Sequence, residues 1–449
     1  MRNDLWRLLC AAAAFALLAG ANPALALPTI QQWTTPTGAR VYFVENHDLP
    51  IVDVSVDFPA GSSFDARSKS GAAGLTQYML RFGADGLDED QISNRIADVG
   101  AQLSGRFDLD RAGLGVRTLS SAREQDAAIA VLAKVLQSPT FPQESVVREK
   151  NRIVADLKEA NTKPETIAAK TFFATLYGEH PYALPAAGSP ETVAGLTRED
   201  LVDFYRAHYN APRAVVAIMG DVTRGEADAI ARRLTDGLPP APADAVRLPD
   251  VTPLARASEQ RIAHPATQSH ILMGAPGIRR NDPDYFALIV GNYVLGGGGF
   301  VSRFTEEVRS RRGLAYSVYS TFQPLRFEGP FQIGLQTKKE QSAEALDVVR
   351  VTLRDFIAKG PTEQELRAAK QNIVGGFPLR VDSNRKIHEY IATIGFYDLP
   401  LDYLDRFPGN VERVSVEDVK RAFADRVHPD ALATVVVGAP ETRTTAARP

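Results

Sequence analysis

Leu295 to Phe322 reads LGGGGFVSRFTEEVRSRRGLAYSVYSTF, a glycine run followed by a helical stretch, a tight turn and a strand. Gly296, Gly297, Gly298 and Gly299 leave backbone N–H and C=O groups bare, so a second chain can approach closely. Val301 to Arg312 has helical content, with Val301, Phe304 and Val308 on one face. Gly313 ends it in the manner of a left-handed residue past a helix. Leu314 to Phe322 alternates, which predicts that Tyr316, Val318, Ser320 and Phe322 share one face of a strand. Arg309 and Tyr316 then stand on adjoining elements and can converge on one point.

This stretch resembles the second-half motif of the pitrilysin-type metallopeptidases, the family of insulysin, mitochondrial processing peptidase and its bacterial relatives. The resemblance implies that Arg309 and Tyr316, within R-S-R-R-G-L-A-Y, touch the substrate backbone near a zinc ion. The glycine run is similar to the substrate-recognition loop of the non-catalytic processing-peptidase subunit, which makes Gly296 to Gly299 the expected substrate-binding positions.

The chain has 449 residues, enough for two to four domains, and its 44% apolar and 23% charged content is ordinary for a globular protein. A net charge of −3 argues against nucleic acid, and the mixed-sign surface gives no membrane signal. Arg2 and Arg7, the apolar run Leu8 to Leu18 and Ala24-Leu25-Ala26 together read as a cleaved leader over 1–26. The run is too short for a permanent anchor. Cys10, the only cysteine, lies inside it, so the mature chain is expected to have neither disulfides nor thiolate metal sites. The expected location is the periplasm.

Val52, Val54, Val56 and Phe58 alternate with Asp53, Ser55 and Asp57, the pattern of a half-buried strand. Asp88 and Gln91 form a capping box, and Ser121 to Gln137, Gln143 to Glu159 and Pro164 to Tyr177 read as helices. Thr197 to Asp221 is a capped helix followed by an apolar strand, and shifted by 218 residues it aligns without a gap on Ser415 to Ala439. One long offset means duplication rather than a short-period solenoid. Residues 238–257 hold five prolines and no apolar period, as an extended linker does. The expected organisation is a peptidase-like domain over 27–237, a second over 258–440 and a disordered tail over 441–449. Strands followed by runs of helices make each half α+β. The resemblance supplies the architecture: two homologous sandwich domains forming half of a clam-shell.

The family's catalytic motif, H-x-x-E-H, puts two zinc ligands and a base on one helix face, with a distal glutamate about 75 residues on. The corresponding positions here hold Gly74, Gln77 and Tyr78, with Asp156 in the distal place. Glycine has no ligand atom, and glutamine accepts no proton near neutral pH. The seven histidines offer no pair at i, i+3 or i+4. No cofactor is therefore expected in this chain. The resemblance implies a non-catalytic subunit of a heterodimeric zinc endopeptidase acting on peptides or unfolded polypeptides, with zinc in a homologous partner that carries H-x-x-E-H. The other reading is a peptidase-derived binding or assembly protein without a proteolytic role.

Overall fold

The structure, a computed structural model, describes residues 29–241 and 246–439. The leader, Cys10 and the expected tail over 441–449 lie outside them. The first half contains β1 (Gln31–Thr34), β2 (Arg40–Glu45), β3 (Ile51–Phe58), the short pair β4 (Gly83–Ala84) and β5 (Leu87–Asp88), β6 (Gln102–Phe107), β7 (Ala112–Leu119) and β8 (Val215–Gly220). The second contains β9 (Ser258–Ala263), β10 (Gln268–Ile278), β11 (Ala315–Phe322), β12 (Gly329–Lys338) and β13 (Ala433–Ala439).

The first large sheet runs β1-β2-β8-β3-β7-β6, and the second, from its far end, β9-β13-β10-β12-β11. Apart from β1 the two orders match strand for strand, and each has one parallel pair, β2 with β8 and β9 with β13. The duplication reaches single residues. Thr197 and Ser415 both close capping boxes, with Asp200 and Asp418. Gly220 (φ +133°) and Gly438 (φ +90°) hold equivalent places near the ends of β8 and β13, and a Cβ there would meet the carbonyls of Ile51 and Gln268 at 2.1 and 2.6 Å. Only glycine fits both the angle and the gap.

Each half covers the other's sheet. The helix Asn384–Phe396, from the second half, packs on β8, β3 and β2. The helix Pro164–Tyr177, from the first, packs on β10 and β13. Strands β2 and β8 are therefore buried on both faces. Val41, Phe43, Val216 and Ile218 face their own half's helices, while Tyr42, Val44, Val215, Ala217 and Met219 join a core with Ile387 and Ile391. This corrects the half-buried reading of β3: Asp53, Ser55 and Asp57 are themselves buried. Alternation of residue type reports which face is polar, and it cannot report that another domain's helix lies over it.

A buried carboxylate ties the halves together. Asp110 accepts a hydrogen bond from the Tyr182 hydroxyl, one from the Tyr397 hydroxyl at 2.8 Å and one from the Arg326 backbone N–H at 2.8 Å. Arg326 stacks on Phe396 at 5.0 Å. Among the described residues no helix is long and apolar enough to cross a membrane.

Candidate functional site

The glycine run follows the helix Tyr285–Asn292 through a π-turn over Tyr293–Gly297, in which Gly298 N–H donates to the Tyr293 carbonyl at 2.8 Å. The run is fixed rather than loose. A Cβ on Gly296 would sit 2.4 Å from Ser320 Oγ and 2.7 Å from the Phe304 ring, and one on Gly298 would sit 2.6 Å from the Tyr293 carbonyl. Asn292 clamps the underside, donating to the Ser320 carbonyl at 2.9 Å and accepting from its hydroxyl at 2.7 Å. Gly299 takes a left-handed φ of +61° with open space around it. The expectation of bare backbone therefore holds for Gly297 and Gly299, which are exposed, and fails for Gly296, which is buried beneath β11.

The helix expected over Val301–Arg312 is broken up. A 3-10 turn spans Gly299–Val301 and a π-turn spans Thr305–Ser310, where Arg311 N–H reaches back five residues to the Glu306 carbonyl. Phe304, just before the π-turn, and Val308, within it, are fully buried, whereas Val301 is exposed. Gly313 closes the segment at φ +63°. The expected placing of Tyr316 also changes. The register of β11 on β12 slips between Ala315 and Ser317, and this bulge turns Tyr316 outward while Val318, Ser320 and Phe322 stay buried. An extra residue on one strand breaks a period of two.

That displacement creates the site. Arg309 lies between two aromatic rings, 4.7 Å from the Tyr316 centroid and 4.8 Å from that of Phe300. Both rings are open to solvent, at 81% and 76% exposure. Arg311 is paired with Glu306 and Glu307, and Arg312 with Glu307, so the acidic residues of this segment are engaged elsewhere. Among the described residues no hydrogen bond or ion pair engages the Arg309 guanidinium. Its guanidinium packs against both rings while its N–H donors stay unbonded, available to an acceptor. A cavity of about 430 Å3 lies beside it, lined by Gly296, Gly297, Gly299, Arg309 and Tyr316. Sequence reasoning missed Phe300; its signal was a large aromatic set directly behind four glycines.

The first-half positions do not form a metal site. A Cβ on Gly74 would stand 3.1 Å from the Phe107 ring, which occupies the room a larger side chain needs. Gln77 turns toward the sheet and donates to the Gly113 carbonyl at 3.0 Å. Tyr78 packs at a tilt against Phe82, centroids 4.9 Å apart, and carries the Arg152 guanidinium over its ring at 5.5 Å. Arg152 bonds Asp156 at 3.1 Å and the buried Glu149 at 2.8 Å, and Arg148 adds a second bond to Glu149 at 3.0 Å. Burial pushes the Glu149 carboxyl up, and the two arginines outweigh it and hold it below the usual range. Glu149 and Asp156 are thus neutralised by guanidinium groups. Among the described residues no three His, Cys, Asp or Glu side chains gather as a metal site. Glu149 and Arg152 were missed by the sequence reading, although their spacing with Asp156 is that of helical ion pairs.

Fold and site define a two-domain zinc-peptidase scaffold whose metal positions hold no ligand set. Residues 40–189 match the family described as Insulinase (Peptidase family M16), and residues 195–373 match the Peptidase M16 inactive domain. A solved structure of a peptidase M16 inactive domain from Pseudomonas fluorescens is 36% identical, with a TM-score of 0.88, and covers 92% of this chain and 98% of that one. The chain belongs to peptidase family M16. It is 29% identical over 388 residues to the non-peptidase homolog YmxG of Helicobacter pylori, 84% of this chain and 87% of that protein. It is 28% identical over 440 residues to a probable mitochondrial-processing peptidase subunit beta of Arabidopsis thaliana, 94% of this chain and 81% of that protein.

Proposed function

We propose that this chain is the non-catalytic, substrate-binding subunit of a heterodimeric periplasmic zinc endopeptidase. The observation that carries the reading is the Arg309 fork, held between Phe300 and Tyr316 with its N–H edges free, on a chain whose own metal positions are overwritten. A homologous partner bearing H-x-x-E-H would supply the zinc. Arg309 and the Tyr316 hydroxyl would donate to the carbonyl of the bond being cut, where negative charge develops. Gly297 and Gly299 would let an extended peptide lie against the loop. Membership of family M16 and the similarity to a processing-peptidase subunit support this division of labour.

The test is co-purification of the native chain from periplasm, followed by zinc analysis and peptide cleavage by each chain and by the mixture. The expected result is zinc in the partner alone and cleavage that requires both. Cleavage by the partner at full rate without this chain would instead make it a binding or assembly protein. Chelator-sensitive cleavage by this chain alone would refute both readings.

A further inference from the structure

The first sheet carries a charged trough of about 410 Å3 beside the helix Asn384–Phe396. Its floor is one row of β3, Asp53, Ser55 and Asp57, which point the same way because strand residues two apart share a face. Asp57 is wholly buried, and Asp53 and Ser55 are 5% exposed. Yet both carboxylate oxygens of Asp57, Oδ2 of Asp53 and the Ser55 hydroxyl have no hydrogen-bond partner. Arg117 donates to the other oxygen of Asp53 at 3.3 Å, and Arg106 Nε stands 3.5 Å from Asp57. Buried polar atoms left without a partner are costly, so four in one trough call for an occupant.

The fold itself does not require them. The matched collisions at Gly220 and Gly438 align Ile51 with Gln268, which places His270, Leu272 and Gly274 at the positions of Asp53, Ser55 and Asp57 in the twin sheet. The second half therefore builds the same strand with no carboxylate on that face. The bare floor atoms of the first trough accept hydrogen bonds, so the occupant must bring donors. Three arginines in the lining, Arg106, Arg117 and Arg385, balance Asp53, Asp57 and Glu389, so the occupant is neutral overall. The volume is that of a small-molecule site.

We infer that this trough binds a small zwitterion, with the ammonium group of an amino acid or short peptide seated on Asp53, Ser55 and Asp57 and its carboxylate held by Arg106 and Arg385. Burial pushes both aspartates above the usual carboxylate range, against the pull of Arg117 on Asp53 and of Arg106 on Asp57. An incoming cation reverses that balance. The site requires no partner chain, so it stands or falls independently of the subunit reading.

Titration calorimetry on the full-length chain with alanine, trialanine, N-acetyl-trialanine and trialanine amide tests it. One-to-one binding of alanine or trialanine is expected, with acetylation abolishing it and amidation weakening it. Equal affinity for alanine and trialanine identifies a free amino acid as the source, and tighter trialanine identifies a peptide. Asp57→Asn should weaken binding at least tenfold while the melting temperature stays level or rises, because a neutral isostere relieves a buried charge. Arg385→Ala, at the exposed rim, should weaken binding without touching the floor. Lower melting of Asp57→Asn with unchanged affinity would make Asp57 a structural residue and overturn the inference. So would equal binding of the acetylated peptide, or no binding of any probe.

Discussion

Arg309 differs from its neighbours by what is missing beside it. Glu306 and Glu307 are taken up by Arg311 and Arg312, so Arg309 is held by two rings alone. Stacking at exposed sites contributes about 0.5–1 kcal/mol per ring. Arg309→Ala should therefore shift unfolding of the lone chain by no more than about 2 kcal/mol, while cutting cleavage by the mixture on the order of a hundredfold. Arg309→Lys keeps the charge and loses the fork, so cleavage should recover only in part; full recovery would show that charge alone matters. The metal positions give a second prediction. Gly74→His, Gln77→Glu and Tyr78→His together should bind no stoichiometric zinc, because Phe107 fills the first position and Arg152 lies over the third. Metal analysis of the purified triple variant decides it. These positions were placed by the family resemblance of the helix that carries them, whereas the side chains that closed over them come from a strand and a helix far away in sequence.

Among the elements, regular periods were legible and deliberate irregularities were not. Helices such as Pro164–Tyr177 and the box at Asp88 stand where apolar spacing and capping residues put them. The π-turn at Thr305–Ser310 and the bulge at Tyr316 did not announce themselves, since each inserts one residue that a fixed period cannot carry. Both irregularities lie at the Arg309 site, and together they set its two halves facing each other. The glycine run beneath them tolerates little. Gly296→Ala would drive a methyl group into Ser320 and Phe304, which should cost about 1–3 kcal/mol by chemical denaturation. Gly299→Ala meets open space and carries only the left-handed penalty of about 1 kcal/mol, so the order of the two costs tests whether the loop is packed.

At the scale of the whole molecule, the repeat of 218 residues announced two similar halves but not that each lends the other a helix. That exchange predicts one cooperative unfolding transition by calorimetry; two separated transitions would mean the halves are independent. Two buried histidines weaken the fold in acid. Burial first, and then Arg106 and Arg213 respectively, push His388 and His208 down to about 4. A free imidazole takes its proton near pH 6.5. Between those values each of these two histidines binds more protons in the unfolded chain, so its contribution, present above pH 6.5, is lost as pH falls toward 4, on the order of 3 kcal/mol each, against the opposite trend of Asp65, whose carboxyl burial pushes up to about 7. His388→Gln should flatten the dependence of melting temperature on pH across that window, and an unchanged slope would locate the acid sensitivity elsewhere.

The exchanged helices also govern how the protein is born. As synthesis proceeds from the amino end, β2 and β8 emerge long before Asn384–Phe396, and one oily side of their sheet, including Tyr42, Val44 and Met219, waits in water for its lid. Such a half-made intermediate is sticky. Ribosome-bound fragments ending before residue 384 should consequently be held by chaperones, and let go once that segment has been added.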